Sequence, residues 1–582
     1  MTAMCETDVL IVGSGPAGAS AALFLSTLGV DNIMVTKYRW TANTPRAHIT
    51  NQRAMETFRD MGIEQQVLAE ATPHHLVGDT VFCTSIAGEE IGRIHTWGTH
   101  PAREADYQLA SPCLVVDIPQ TYLEPILVKN ATQRGTHTRF ATEYVSHEQD
   151  DDGVDVLVRD RLTGTEYTIR AKYLIGADGA RSQVAADLGL PFEGAMDLAG
   201  SMNITFKADI AAYVGHRPSV LYWVIQPGAN VGGIGAGLVR MVRPWNEWLI
   251  VWGYDINEPP PVVDDAAATR IVRDLLGMPD IDVEITGTSL WGNNEMYATH
   301  LRKGRVFCAG DAIHRHPPSN GLGSNTSIQD SYNLAWKLAL VLRGQAEPSL
   351  LDTYSTERAP VAERIVKRAN QSSREFVRFF EVLGLLDATS EEEMRAAIEE
   401  RKANTPAGAA KRAALIEAME LKNYEFNAHG MDLGQFYESD AVVSDGPLPE
   451  PARDEVLYYE MSTVPGSHLP HAWVGDTMSK RAMMDLVPYD RFTLITGIAG
   501  EAWTDAADKV AHDLGVPLET VVIGPGRAVT DLYYDWAKLR AVEEDGAVLV
   551  RPDKHIAWRS MTMPSDPADA LRGALSRVLG RG

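Results

Sequence analysis

Asp8-Val9-Leu10-Ile11-Val12 runs into Gly13-Ser14-Gly15-Pro16-Ala17-Gly18 and then into Ala19-Ser20-Ala21-Ala22-Leu23-Phe24-Leu25. An apolar strand, a glycine turn and a small-residue helix, in that order, form the setting of a dinucleotide fingerprint. Gly13 permits the tight turn, Gly15 lets a pyrophosphate approach the backbone, and Gly18 lets helix and strand pack closely. Pro16 and Ala17 open the helix, whose free N–H groups and positive dipole end face the phosphates.

An acid is expected about 20 residues on, where the second strand meets the ribose. Asn32-Ile33-Met34-Val35-Thr36-Lys37 puts Thr36 or Lys37 there instead. A threonine hydroxyl can bond a ribose, but the position does not tell one dinucleotide from another. Residues 304–337 do. Val306 to Ala309 reads as a buried strand ending at Gly310-Asp311, followed by a Pro/Gly loop with Pro318, then by a helix carrying Ile328, Leu334, Ala335 and Leu338. A carboxylate at a strand end, Asp311, suits a ribityl hydroxyl. The helix start, with Gly321, Gly323, Ser324 and Asn325, aims donors and dipole at a ring that gains negative charge on reduction. This segment resembles the second FAD motif of the single-component flavoprotein aromatic hydroxylases. Tyr173-Leu174-Ile175-Gly176-Ala177-Asp178-Gly179-Ala180-Arg181-Ser182 is similar to that family's Asp-Gly motif, which touches flavin and pyridine nucleotide; a β-turn alone would also use Asp178-Gly179. No His or Cys stands in a recognised flavin-linking motif, so the FAD is expected to be noncovalent.

The 582 residues imply several domains. With 53 basic and 78 acidic residues the net charge is −25, which argues against nucleic acid and leaves no basic patch for anionic lipid. No apolar run approaches the roughly 18 residues of a membrane span, and no signal-peptide pattern precedes the first strand. Cys5, Cys83, Cys113 and Cys308 show no metal-binding spacing, so no metal is expected and a reducing cytoplasm is the simplest home.

The fold expected is α/β: a Rossmann-like FAD-binding domain interleaved with a β-sheet substrate domain, then a thioredoxin-like C-terminal domain. Residues 1–385 hold the flavin motifs, with inserts at about 80–115 and 191–290. In the second insert Leu221-Tyr222-Trp223-Val224-Ile225-Gln226 and Trp248-Leu249-Ile250-Val251-Trp252-Gly253-Tyr254 alternate like strands with one buried face. Their aromatics suit either plain core or the wall of a pocket for a flat organic molecule. Gly232-Gly233-Ile234-Gly235-Ala236-Gly237 has the wrong spacing for a second fingerprint and reads as a turn or bulge. Residues 386–445 form a charged helical connector and linker. Residues 446–582 show strand Phe492–Thr496, helix Trp503–Leu514, strand Leu518–Ile523, then the run Ala547-Val548-Leu549-Val550-Arg551-Pro552-Asp553 and a closing helix over 566–579.

That order, and Arg551-Pro552-Asp553 before Ile556-Ala557-Trp558-Arg559, resembles the C-terminal domain of the phenol hydroxylase branch. Tyr38 to Arg53, His216 to Gly228 and Val239 to Asn246 are similar to its chlorophenol-hydroxylating members. The resemblance implies FAD, NADPH and O2, and ortho-hydroxylation of a phenol to a catechol through a flavin C4a-hydroperoxide. The expected reaction is 2,4-dichlorophenol to 3,5-dichlorocatechol; another phenol, a resorcinol or a polyketide aromatic is the alternative. A reductase, dehydrogenase, halogenase or non-catalytic FAD protein is the more distant one. Electrophilic oxygen needs an electron-rich ring, and a phenolate is richer than a phenol, so a base is required. His48 stands where related enzymes carry an aspartate, and histidine titrates near neutrality. A structural hydrogen-bonding role is its alternative. The resemblance further implies Arg46 and Gln120 at the flavin, Arg243 in the pocket and Arg181 toward NADPH. His314 and His316 read as loop residues beside the flavin rather than metal ligands. A homo-oligomer, dimer or tetramer, is expected.

Overall fold

The computed structural model describes residues 5–226, 237–476 and 478–582, so the expected turn over Gly232–Gly237 lies outside the described residues up to Ala236. Cys5–Val12 lies between Asn32–Val35 and Glu166–Gly176, parallel to both, and Val306–Cys308 extends the parallel order on the far side of Glu166–Gly176. Val9, Leu10 and Ile11 are fully buried, as strands covered on both faces must be. The helix Pro16–Thr27 buries Ala17 through Ser26. Its small side chains let it sit close between the sheet and the helices Gln120–Gln133 and Gly323–Leu342. Gly13 has φ +109°, and a Cβ there would be driven into the carbonyl of Ala177. A Cβ on Gly18 would strike the carbonyl of Gly13, so the fingerprint glycines are required by the backbone itself.

Among the described residues the second sheet has eight strands, with the long antiparallel pair Phe192–Lys207 and Glu284–Ala298 near one edge and Asp79–Cys83 and Glu90–His95 at the other. The expectation of one buried face fails for Ser219–Val224, which is buried along its whole length. The cause lies just before the connector. Trp223 packs on Phe376 with ring centroids 4.3 Å apart, and Phe82 stacks on Phe379 at 4.6 Å, so aromatic residues of the following helices cover the outer face. Beyond them Glu391–Glu399 and Pro406–Leu421 form the expected charged helices, with Pro406 in the first helical turn.

In the third sheet Phe492–Gly497 and Leu518–Ile523 run parallel across the helix Ala502–Leu514, and Ala547–Val550 adds antiparallel. The closing helix spans Pro567–Val578. Trp503, Leu494 and Leu571 belong to the same apolar core as Val9 and Leu10, so this region is fused to the first sheet rather than tethered to it.

Candidate active site

The helix Pro16–Thr27 follows the first strand directly, and its start packs on the helix Gly323–Leu342, where Ser331 Oγ donates to Ala17 O at 2.8 Å. In the first helix the earliest backbone bond is Ala19 N–H to Gly15 O, 2.9 Å, so the amides before it remain unpaired within the helix. A Cβ on Gly15 would meet nothing nearer than Glu124 Oε1 at 3.8 Å, which leaves open space where a phosphate would sit. Glu124 is itself buried and was not singled out by the sequence; it accepts from Gln120 Nε2 at 2.5 Å and Ala42 N at 2.6 Å, and burial pushes its carboxyl up. Arg46 is exposed; its carbonyl accepts from Gln120 N at 3.0 Å, and its charge acts on Asp311. Thr36 is buried just beyond the second strand, with its amide on Arg139 O at 3.0 Å, while Lys37 is exposed.

At the second motif Gly310 adopts φ +66° and its N–H donates to Asp330 Oδ2 at 3.1 Å. Asp330 also binds His314 Nε2 at 3.0 Å and Arg358 Nε at 2.8 Å, all fully buried, so the turn presenting Asp311 rests on an internal ion pair. His314 is thereby committed to Asp330, and His316 bonds Pro317 O at 2.6 Å. Pro318 caps the short turn Ser319–Gly321, and Gly323 begins the long helix with Ser324 and Asn325 in its first turn. Asn325 ties this helix start to the segment carrying His48: its Nδ2 donates to Ile49 O at 2.8 Å and its Oδ1 accepts from Asn51 N at 2.9 Å. The Asp178 carboxylate is spent on capping the helix Gln183–Leu188, binding Ser182 Oγ at 2.5 Å, Gln183 N at 2.8 Å and Val184 N at 3.2 Å. Arg181 beside it is exposed.

A family model described as FAD binding domain matches residues 6–369, and one described as aromatic-ring hydroxylase, C-terminal, matches residues 462–582. The chain belongs to the FAD-dependent phenol hydroxylase family. It is 62% identical over 99% of its length to a phenol 2-monooxygenase of Pseudomonas sp. (strain EST1001), covering 93% of that protein. It is 53% identical over 100% of its length to a 2,4-dichlorophenol 6-monooxygenase of Cupriavidus pinatubonensis (strain JMP 134 / LMG 1197), covering 98% of it. The flavin-dependent monooxygenase PieE, solved in complex with FAD and substrate, superposes with a TM-score of 0.94 at 44% identity, covering 99% of both chains. The open space beside Gly15 and the unpaired amides at the start of the first helix fit a phosphate of FAD.

Within this hydroxylase the residues around His48 form a second, drier cluster. His48 follows Ala47, whose φ is +43°, and precedes the short strand Ile49–Thr50, which pairs with Val116–Asp117. His48 Nε2 lies 2.8 Å from Pro45 O. A carbonyl only accepts, so Nε2 carries the hydrogen and Nδ1 holds a lone pair. Nδ1 is buried with no hydrogen-bond partner and stands 3.9 Å from Asp117 Oδ1. Burial, with Arg240 adding, holds His48 well below its ordinary value, so the ring is neutral. Asp117 is fully buried, paired with Arg240 and bound by Thr72 Oγ1 at 3.1 Å.

Arg240, not Arg243, is thus the arginine brought to this cluster. Arg243 lies beyond a register break in the strand; its guanidinium stacks 3.6 Å from the Tyr122 ring centroid and pairs with Glu70 at 3.0 Å. Asp117 and Arg240 were missed by reading motifs. Their signal was a single charge inside an otherwise apolar strand, Val115-Val116-Asp117-Ile118 and Leu238-Val239-Arg240-Met241-Val242. The aromatics of the insert are largely core: Trp248 is 1% exposed and donates to Trp245 O at 3.0 Å, and Tyr222 is fully buried.

Proposed function

We propose that this chain hydroxylates a monocyclic phenol, plain or chlorinated, ortho to its hydroxyl to give a catechol, using NADPH and O2, with His48 accepting the phenolic proton. The observation that carries the reading is the partnerless lone pair on His48 Nδ1. A neutral imidazole whose Nε2–H is fixed on Pro45 can take a proton only at Nδ1. Once protonated, the ring faces Asp117 at 3.9 Å, whose carboxylate offsets the new charge. Burial pushes the Asp117 carboxyl up, and the paired Arg240 opposes that shift. The phenolate left behind is activated at its ortho carbon. FAD, when bound and reduced, supplies the activated oxygen; the chain's part is to orient the ring, exclude water and hold the proton. NADPH is inferred to dock in a groove shared with the flavin region, with Arg181 among its contacts. The specific substrate inferred from the sequence, 2,4-dichlorophenol, stands beside phenol itself, because the relative at 62% identity is named for phenol. We further infer a cytoplasmic homo-oligomer. Among the described residues no helix is long and apolar enough to cross a membrane.

The test is NADPH and O2 consumption by the FAD-loaded protein with phenol, 2,4-dichlorophenol, a methylphenol, a resorcinol and a polycyclic phenol, with products identified. Catechol from the simple phenols is expected. Turnover of the polycyclic compound alone would reject the substrate class, and NADPH oxidation without any hydroxylated product would reject the chemistry.

A further inference from the structure

The loop Arg551-Pro552-Asp553-Lys554-His555 enters the molecule between the two helices that carry the active-site walls. The helix Gln52–Asp60 begins at Asn51, three residues after His48; the helix Gly323–Leu342 begins at the flavin-facing turn. At their starts the two are tied by Asn51 and Asn325. Farther along, the loop grips both. Arg53 Nη2 donates to Asp553 O at 2.9 Å, and Lys554 Nζ donates to Asp60 Oδ2 at 2.8 Å. Asp60 also accepts from Tyr332 OH at 2.6 Å, which joins one helix directly to the other. On the second helix Asn333 donates to Asp553 Oδ2 at 3.3 Å and to Glu357 Oε2 at 2.7 Å. Arg551 binds Glu357 at 2.5 and 2.9 Å and Asp553 at 2.5 and 3.0 Å. Arg551 and Lys554 are fully buried, and Asp553 is 1% exposed.

A surface appendage would need no such contacts. We propose that this loop is a positioning device for hydroxylation: Lys554 and Asp60, with Arg551 and Asp553, fix the helix bearing the His48 segment against the helix facing the flavin. Buried ion pairs are poor sources of net stability, whereas their directional bonds specify one arrangement of the elements they join. The proposal rests on the hydroxylase reading above and adds what the C-terminal region contributes to it. Loss of the grip lets the phenol shift relative to the flavin, so that oxygen is reduced to peroxide instead of entering the ring.

The test is the double variant Asp60→Asn/Lys554→Met, which removes both charges together and keeps an acceptor for Tyr332, beside Lys554→Arg, which keeps the pair. Folding and flavin content are checked by near-UV circular dichroism and the flavin spectrum. A misplacement of about 1 Å is enough to slow the step about 10-fold to 100-fold. Catechol formation by the double variant is expected to fall by that factor, with phenol-stimulated NADPH oxidation falling less than about threefold and the difference appearing as peroxide. Lys554→Arg is expected to keep the coupling of the parent. A folded, flavin-loaded double variant that makes as much catechol per NADPH as the parent overturns the proposal. So does a parallel fall of both rates at unchanged coupling, since lost stability alone would produce it. If the double variant does not fold, the proposal stands or falls on Lys554→Arg and the single variant Asp60→Asn, for which the same loss of coupling in Asp60→Asn alone is required. Absence of catechol from the parent would strike the hydroxylase reading instead.

Discussion

Around Glu357, Arg551 donates twice, Lys337 and Asn333 once each and Ser439 once, so both carboxylate oxygens are filled. Around His48, one ring nitrogen is held by Pro45 and the other meets no partner, although Asp117 and Arg240 stand beside it. Both clusters are buried and both carry opposed charges. The difference is completeness. A saturated cluster has nothing left to offer a ligand and serves to join elements. A cluster with one unfilled acceptor keeps a buried polar atom at a cost, and such an atom is expected where something else binds.

The largest effect that would sharpen the contrast is at Glu357. Replacing it with Leu leaves Arg551 and Lys337 without their carboxylate inside the core, and breaking such a buried pair costs about 3–5 kcal/mol. Urea unfolding followed by tryptophan fluorescence should show a much lower midpoint. A midpoint near that of the parent would mean the cluster is not the joint described here.

A smaller effect concerns pH. Burial and Arg240 hold His48 below its ordinary value, so its neutral, proton-accepting form persists as pH falls through about 6.5. Hydroxylation with excess NADPH should therefore stay level to below that pH and decline only in more acid solution. An acid limb centred at 6.5 or higher would place His48 in water-like surroundings. The same depression has a stability consequence. The unfolded chain takes the proton first, so the contribution of His48 is present above about 6.5 and lost as pH falls toward the folded value.

The smallest effect is expected on the surface. Arg395 and Glu391 are a pair at i, i+4 on an exposed connector helix, 3.5 Å apart, and both side chains are more than two-thirds exposed. Replacing Glu391 with Ala should move stability by about 0.5 kcal/mol or less, and activity not at all. A larger shift would show that the connector does more than cover the second sheet.

The two regions were not equally legible. The Gly13–Gly18 turn and the Gly310–Asn325 segment are local, so strand, turn and helix could be read in order, and the backbone confirms why glycine is needed at 13 and 18. The strands and helices of the C-terminal region were readable for the same reason. His48 was reachable through a resemblance, but its partners were not: Asp117 and Arg240 lie 123 residues apart and meet only when the two-stranded ribbon docks on the second sheet. Ser219–Val224 looked half-exposed because the ring that covers its Trp223 comes from Phe376, far later in the chain. The grip of Arg551 and Lys554 is likewise a property of the assembled fold. Pair interactions distant in sequence leave only a lone charge in an apolar run as their trace.

The central claim, that His48 takes the phenolic proton, is tested most directly by His48→Ala across phenols of graded acidity, with hydroxylation rate and flavin content measured for each. The account predicts retained FAD and a rate loss of about 10²–10⁴-fold for the least acidic phenols, as for a missing general base. The loss should shrink steadily toward polychlorinated phenols, which are already ionised in neutral solution. An equal deficit across the whole series, or near-normal turnover of unsubstituted phenol, would contradict it.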